Sequence, residues 1–300
     1  MTSSYVIRGF RPEDIESCLR LHAEAGGDRD GPLCMDFVGR LGRPGCSPGE
    51  DVSVAEEAGE VTGCLEMFPE AGIDRMVVSC HVKKEHRRRG ISRRFLERSG
   101  RRARELGIRK LQACVDEADE TANKVLASLG FRKVRRFLEM RMDLEEFREA
   151  PSGACRSMRA GEEDILLYLQ NRAFEGSWGY NPNTPEQIRY HFSRGEASPE
   201  DVIICFAGDS PAAYCWTMAP ERRDSGTIKG RIYMLGVAPD YRGKGFGRMA
   251  LRAGLSRLKR KGITEADITV DSENSIALSL YRATGFELRA NSLWYERVLD

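Results

Sequence analysis

No run in this 300-residue sequence approaches the roughly 18 consecutive apolar residues that a membrane helix needs. The start Met1-Thr2-Ser3-Ser4 has neither the basic nor the apolar region of a signal peptide. A cytoplasmic protein with no membrane partner is expected. An excess of one charge is also missing: 47 Lys plus Arg against 46 Asp plus Glu leave a formal net charge of +1, so the total implies no nucleic-acid partner. The nine cysteines are odd in number, and none forms a C-x-x-C pair with histidines at zinc spacing. That argues against a metal site and against a disulfide framework. Cys80, Cys205 and Cys215 lie inside apolar runs, where a thiol packs as a small hydrophobe. What is present, 41% hydrophobic and 31% charged residues, is the balance of a globular chain rather than a fibrous or disordered one.

The chain reads as one unit written twice. Val82-Lys-Lys-Glu-His-Arg-Arg-Arg-Gly-Ile-Ser92 aligns with Val237-Ala-Pro-Asp-Tyr-Arg-Gly-Lys-Gly-Phe-Gly247 at an offset of 155. The same offset superposes Gly130-Phe131 on Gly285-Phe286, Asp116 on Asp271 and Ala122 on Ala277. Near the start of each half an Arg-bearing strand leads into an acidic helix opening, Arg8 to Asp14-Ile15 and Arg159 to Asp164-Ile165, at a slightly smaller offset. The Pro/Gly/Ser stretch at 149–153 is the natural boundary, giving domains 1–150 and 151–300, each long enough for its own core. In the second half, periodicity and turn signals predict strands at 155–159, 202–207, 212–218, 232–237, 266–270, 286–289 and 293–298. They predict helices at 162–174, within 177–193, at 247–261 and at 275–284. That order describes an α/β fold, a mixed sheet flanked by helices, present twice.

The second half carries the informative pattern. Arg242-Gly-Lys-Gly-Phe-Gly247 follows the β-rich run Ile232-Tyr-Met-Leu-Gly-Val237 and opens an amphipathic helix with Met249, Leu251, Leu255 and Leu258 on its apolar face. Glycines let a backbone approach a ligand closely, and a helix N-terminus adds partial positive charge, so strand, turn and helix together form an anion cradle for a phosphate or diphosphate. It is not a P-loop, because no G-K-[ST] ends it, and the spacing is wrong for a dinucleotide fingerprint. Downstream, Asn274 ends a strand and can cap the helix that follows, and Tyr281 stands one turn before Gly285-Phe286.

These two motifs resemble those of the GNAT superfamily of N-acetyltransferases, [QR]-x-x-G-x-[GA] and N-x-x-A-x-x-L-Y-x-x-x-G-F. Arg242, Gly245, Gly247, Asn274, Ala277, Leu280, Tyr281, Gly285 and Phe286 occupy every fixed position. The resemblance implies that Arg242, Gly243, Lys244, Gly245, Phe246 and Gly247 hold the diphosphate of acetyl-CoA. It implies further that the pantetheine arm runs along Leu235, Gly236 and Val237 at a break in the sheet, with Asn274 beside it, and that Tyr281 protonates the departing thiolate. The chemistry suits these residues, since aminolysis of a thioester needs a free amine, a polarised carbonyl and a proton for the sulfur.

The first half resembles the same family with parts missing. Arg87-Arg88-Arg89-Gly90 keeps the turn, but Ser92 stands where Gly247 does, Asp119 where Asn274 does, and Leu126 where Tyr281 does. Val82, Arg87, Arg88, Arg89, Gly90 and Ser92 form a second candidate cofactor site in a domain without the acid. The tandem arrangement resembles mycothiol synthase and its two-domain relatives, and the resemblance implies that the C-terminal domain performs the transfer. By that alignment a glutamate proposed as general base is replaced by Arg231, which cannot take a proton. The general base is therefore left unassigned. Glu175, Trp178, Tyr180 and Trp294 are the candidate acceptor-pocket residues. The expected function is acetyl-CoA-dependent N-acetylation of a primary amine on a small metabolite. The alternatives are a non-catalytic acyl-CoA-binding regulatory module and mycothiol synthase-like acetylation of a cysteinyl pseudo-disaccharide.

Overall fold

The structure is a computed structural model that describes residues 5–24, 36–148, 153–194, 198–219 and 229–299. Most of the expected boundary at 149–153 and the polar start at 1–4 lie outside the described residues.

The chain forms two compact units, Met1–Arg135 with Leu293–Asp300, and Arg136–Ser292. The first contains β1 (Val6–Gly9), α1 (Ile15–Glu24), α2 (Phe37–Leu41), α3 (Pro48–Asp51), β2 (Val52–Glu57), β3 (Glu60–Glu70), β4 (Arg75–Val82), α4 (Ile91–Glu105), β5 (Lys110–Asp116) and α5 (Glu120–Ser128). After them comes β6 (Arg132–Asp143), which belongs to the second unit from Arg136 on. The second unit continues with β7 (Cys155–Ser157), α6 (Glu163–Phe174), α7 (Pro185–Ser193), β8 (Val202–Ala207), β9 (Ser210–Met218), β10 (Lys229–Val237), α8 (Phe246–Arg260), β11 (Glu265–Asp271) and α9 (Ser275–Thr284). The last strand, β12 (Glu287–Val298), returns to the first unit from Leu293 on.

The compact units and the sequence halves thus differ by an exchange of end strands. In the second unit the order is β6-β11-β10-β9-β8-β7, with β6 antiparallel to β11 from Glu265↔Asp143 to Asp271↔Phe137. In the first the order is β1-β2-β3-β4-β5 followed by the end of β12, where Leu299 N–H donates to the Arg109 carbonyl at 2.7 Å. The sequence suggested two strands, at 286–289 and 293–298. The structure has one continuous β12, because its two stretches each belong to a compact unit of their own.

Each unit is built alike. Helices α4 and α8 carry buried residues at three- and four-residue spacing, Ile91, Phe95, Ser99 and Ala103 on one, Leu251, Leu255 and Leu258 on the other, so each lays one apolar face on its sheet. Full burial of each such leucine is worth about 1.5–3 kcal/mol. Buried ion pairs repeat as well. Arg102 Nε meets Asp51 at 3.0 Å, and Arg257 Nε meets Asp201 at 3.1 Å. The Arg8 fork grips Asp14 at 2.7 and 2.8 Å, and the Arg156 fork grips Glu162 at the same two distances. The structural counterpart of Arg8 is therefore Arg156 rather than Arg159, since the bidentate geometry fixes the register where sequence similarity is thin.

Two cysteine readings change. Cys155 and Cys205, paired directly across β7 and β8, form a disulfide. An odd count excludes only complete pairing, and facing strand positions bring two thiols within reach. Cys80 is exposed, because β4 has left the β5 ladder by that point, whereas Cys215 is buried as expected.

Candidate active site

In the second unit β10 stays paired with β9 through Val237↔Ala213, but with β11 only from Lys229↔Glu265 to Ile232↔Ile268. Beyond Ile232 the two parallel strands part, and an irregularity between Ile232 and Met234 puts Tyr233 out of register. Leu235, Gly236 and Val237 consequently have no ladder on the β11 side, and backbone groups left without a ladder need another partner. Gly236 is required by packing: a Cβ there stands 2.5 Å from Tyr214 Cε1 and 2.8 Å from Ala173 Cβ.

Past Val237 the chain turns through Pro239–Tyr241 and Arg242 into Gly243 (φ 74°) and Gly245 (φ 85°), the second of which starts α8. Both are in the left-handed region that favours glycine, and no atom of the described residues lies within 4 Å of a Cβ built on either. No side chain caps α8 and no acidic residue occupies its first turn. Its opening N–H groups and dipole therefore face an uncrowded bend. Flanking side chains fold away from it: Arg242 Nη2 donates to the Ala173 carbonyl and Lys244 Nζ to the Asp240 carbonyl, both at 2.9 Å. Behind the bend, Phe246 packs on Tyr241 and Gly247 lies against Val237 and Leu280. An unobstructed backbone cradle of this kind fits a diphosphate.

Asn274 accepts from Ala277 N–H at 3.1 Å, so its side-chain oxygen serves the α9 cap. Tyr281, 6% exposed, packs with Leu278 and Phe286 in the core cluster. Burial pushes its pKa well above the ordinary 10, so the phenol is neutral at physiological pH. The hydroxyl has no hydrogen-bond partner among the described residues, and its proton is not committed to a neighbour.

The residues proposed for the acceptor pocket each have neighbours within their own unit. Glu175 is 70% exposed on its side chain and paired with Arg172 at 2.8 Å. The Tyr180 ring stacks on Phe174, and its hydroxyl donates to Asn171 Oδ1 at 2.8 Å while accepting from Asn183, so it is a brace for the loop. Trp178 packs on Phe137, ring centres 5.9 Å apart. Trp294 belongs to the first unit, where Arg75 lies over its ring. Sequence reading missed an aromatic group in the second unit, in which Trp216 meets His191, Phe192 and Tyr233 at centroid distances of 5.3, 5.2 and 5.0 Å. The Trp216 indole N–H is buried without a partner among the described residues, and desolvation lowers the His191 pKa to about 4. Only the alternation along β9 and β10 hinted at it. Arg231 donates to Thr269 Oγ1 at 2.8 Å beside the pair Arg141–Asp267.

The first unit repeats the splay, β4 pairing with β5 only from Arg75↔Lys110 to Val77↔Gln112. Its turn differs. Arg88 takes the positive φ (60°) that Gly243 has, and Gly90 (φ 86°) starts an uncapped α4. Arg87 Nε donates to the Val82 carbonyl at 3.1 Å, and Ser92 stands in the first turn of α4. Glu57 grips Arg89 at 2.6 and 2.7 Å and meets His86 at 3.0 Å. Its counterpart in strand register is Ala207, so a carboxylate occupies charge that a phosphate would need. His22, Glu66 and His81 bring potential ligand atoms within 4.8 Å of one another, a group sequence spacing did not reveal. Arg40 donates to both Glu66 oxygens at 2.7 and 3.0 Å, and a guanidinium there opposes a cation.

The profile of the Acetyltransferase (GNAT) family matches residues 33–131 and 165–286. The chain belongs to that family. Among relatives, a mycothiol acetyltransferase of Tsukamurella paurometabola is 32% identical, with 91% of this chain and 92% of that protein covered. Another, of Geodermatophilus obscurus, is 28% identical with 94% and 93% covered. A GCN5-related N-acetyltransferase from Sphaerobacter thermophilus has a similar fold, with a TM-score of 0.71 at 18% identity over 99% of this chain and 96% of that one. A tandem GNAT protein from the clavulanic acid biosynthesis pathway gives 0.70 at 19%, with 98% of each covered. This GNAT protein is thus an acyltransferase that uses acetyl-CoA to N-acetylate an amine on a small molecule. Among the described residues no helix is long and apolar enough to cross a membrane.

Proposed function

We propose that residues 151–300 form the catalytic domain of a cytoplasmic enzyme that acetylates the primary amine of a small metabolite, and that residues 1–150 form a degenerate partner. The observation that carries this reading is the contrast between the two turns. Among the described residues nothing crowds Gly243 or Gly245 ahead of an uncapped α8, whereas Glu57 claims the cationic turn of the first unit. In this proposal the backbone of 242–247 holds the diphosphate and the free edge of Leu235–Gly236–Val237 aligns the pantetheine amides. Acetyl-CoA supplies the activated acetyl group. As the amine nitrogen bonds to the carbonyl carbon and the C–S bond breaks, Tyr281 gives its proton to the sulfur, and solvent restores it. Burial raises both the phenol and a thiol in the same surroundings, so the transfer stays near balance. The second proton of the amine leaves to water or to a group of the acceptor itself, since Arg231 stays charged.

A second reading, acetylation of a cysteinyl pseudo-disaccharide, is favoured by the curated relatives named mycothiol acetyltransferase. Thiol release from acetyl-CoA across a panel of amino sugars, amino acids, polyamines and a cysteinyl glycoside tests both. Turnover confined to the glycoside selects the second reading. No turnover with any amine, despite measurable CoA binding, removes the catalytic reading of this domain.

A further inference from the structure

The first unit carries an open cavity of about 580 Å³ along α4. It is lined along the helix by Arg93, Leu96, Glu97, Gly100, Arg101 and Arg104, residues three or four apart on one face, and closed by the end of α5 and the last strand through Ser128, Leu129, Arg297 and Leu299. The volume is that of a small-molecule site. Among the described lining residues, four guanidiniums and one carboxylate leave a surplus of three positive charges.

The arginines of α4 divide into two sets. Arg94 lies over the Tyr5 ring, Arg98 donates to Ser53 Oγ at 2.9 Å, and Arg102 is held by Asp51 and Glu50. These brace the helix against its unit. The side chains of Arg93, Arg101 and Arg104 make no hydrogen bond, ion pair or ring contact among the described residues, and all three residues are exposed. Arg297 gives one N–H to the Leu129 carbonyl at 2.7 Å and keeps its other donors. Arg101 and Arg104 stand one turn apart as like charges, Glu97 lies one turn from both Arg93 and Arg101, and the exposed guanidiniums face one concavity where an anion can reach them.

Comparison with α8 shows that the fold does not require this opening. At the offset of 155, Gly100 corresponds to Leu255 and Arg101 to Ser256, both buried. The matching face of α8 is covered by 144–148: Arg252 lies over Phe147 and donates to the Arg148 carbonyl, and Lys259 Nζ donates to the carbonyls of Glu145 and Phe147. What one unit fills with Leu144, Phe147 and Leu255, the other leaves among the described residues as an opening rimmed by arginine, with Leu299 beside the buried Gly100.

We propose that this cavity binds a small molecule bearing several linked phosphates, held by Arg93, Arg101, Arg104 and Arg297. Guanidinium forks match phosphate oxygens bidentately. Arg93 and Arg104 are eleven residues apart, about 16 Å along the helix, so a linear chain of phosphates engages more of them than a single anion does. The proposal is independent of which half catalyses acetyl transfer.

Calorimetry of the full chain with tripolyphosphate, then ATP and inorganic phosphate as separate arms, tests it. Tripolyphosphate is expected to bind at least tenfold more tightly than phosphate and to weaken with added salt. ATP binding as tightly as tripolyphosphate points to a nucleotide as the occupant, and tripolyphosphate alone points to an inorganic chain. Arg101→Gln with Arg104→Gln should weaken binding at least tenfold. Gly100→Leu, which fills the gap without altering charge, should do the same, so a fault in one variant does not decide the result. Binding that is absent in the wild type, or unchanged in both variants, overturns the proposal. So does binding that is lost instead on replacing Gly243 and Gly245, which locates the phosphates at the other unit's turn.

Discussion

Replacing Tyr281 by phenylalanine removes one oxygen from a side chain that is otherwise part of the core, and the two consequences should separate cleanly. For stability, the hydroxyl has no hydrogen-bond partner among the described residues, so its loss leaves no donor or acceptor stranded. Removing a hydroxyl that has no protein partner should leave stability within about 1 kcal/mol, and the ring contacts with Phe286 and Leu278 remain. For catalysis, a positioned acid contributes about 10²–10⁴-fold, equivalent to about 3–5 kcal/mol of barrier. The assay is thiol release at saturating acetyl-CoA and amine, with CoA affinity by calorimetry and melting temperature measured alongside. The expected result is a kcat reduced at least a hundredfold, CoA affinity within about threefold of wild type, and a little-changed melting temperature. A variant that keeps a third of its kcat, or that loses affinity in proportion to kcat, refutes the acid role. The pH profile adds a check. Burial raises the Tyr281 pKa, so its neutral form and the stability linked to it are complete below the ordinary value of about 10 and decline only as pH rises above that. No alkaline fall in rate below about pH 10 belongs to Tyr281.

Three further outcomes are expected. Gly236→Ala forces a Cβ against Tyr214 and Ala173 and should destabilise the protein by about 1–3 kcal/mol, with weaker CoA binding; a melting temperature and affinity equal to wild type contradict the close packing. His191 has its pKa lowered by burial from 6.5 to about 4, so the unfolded chain takes the proton first. Stability present above pH 6.5 is lost as pH falls toward 4, by at most about 3 kcal/mol. Denaturant titrations of wild type and His191→Phe over that window should converge on removing this slope, and identical slopes reject it. Asp201, buried against Arg257, Lys261 and the Ser198 N–H, should cost about 1–3 kcal/mol when replaced by alanine, because a donor and two partly exposed cations lose a buried acceptor; urea unfolding measures it.

Much of the site was legible in the sequence because it is local. The glycines at 243 and 245 are demanded by positive φ at a strand-to-helix turn, and Asn274 stands three residues before the N–H it caps. Properties of that kind are set within a few residues of chain, so spacing reveals them. The same locality limits what spacing says about the acceptor side. Glu175, Tyr180 and Trp294 have the right chemistry for an acceptor pocket, but the direction of a side chain depends on what it packs against. Arg172, Asn171 and Arg75 supply the answers.

By itself the sequence determined that the unit occurs twice, that each copy is a mixed sheet with flanking helices, and which copy keeps the unobstructed glycine turn and the tyrosine. Tertiary structure alone decided the exchange of end strands between the compact units, the Cys155–Cys205 bridge, the claim of Glu57 on Arg89, and the aromatic group around Trp216. It also decided which arginines of α4 are braced and which line a cavity. Periodicity and turn chemistry are written along the chain. Strand partnership, charge neutralisation and the filling of space depend on residues distant in sequence that meet only when the sheet assembles.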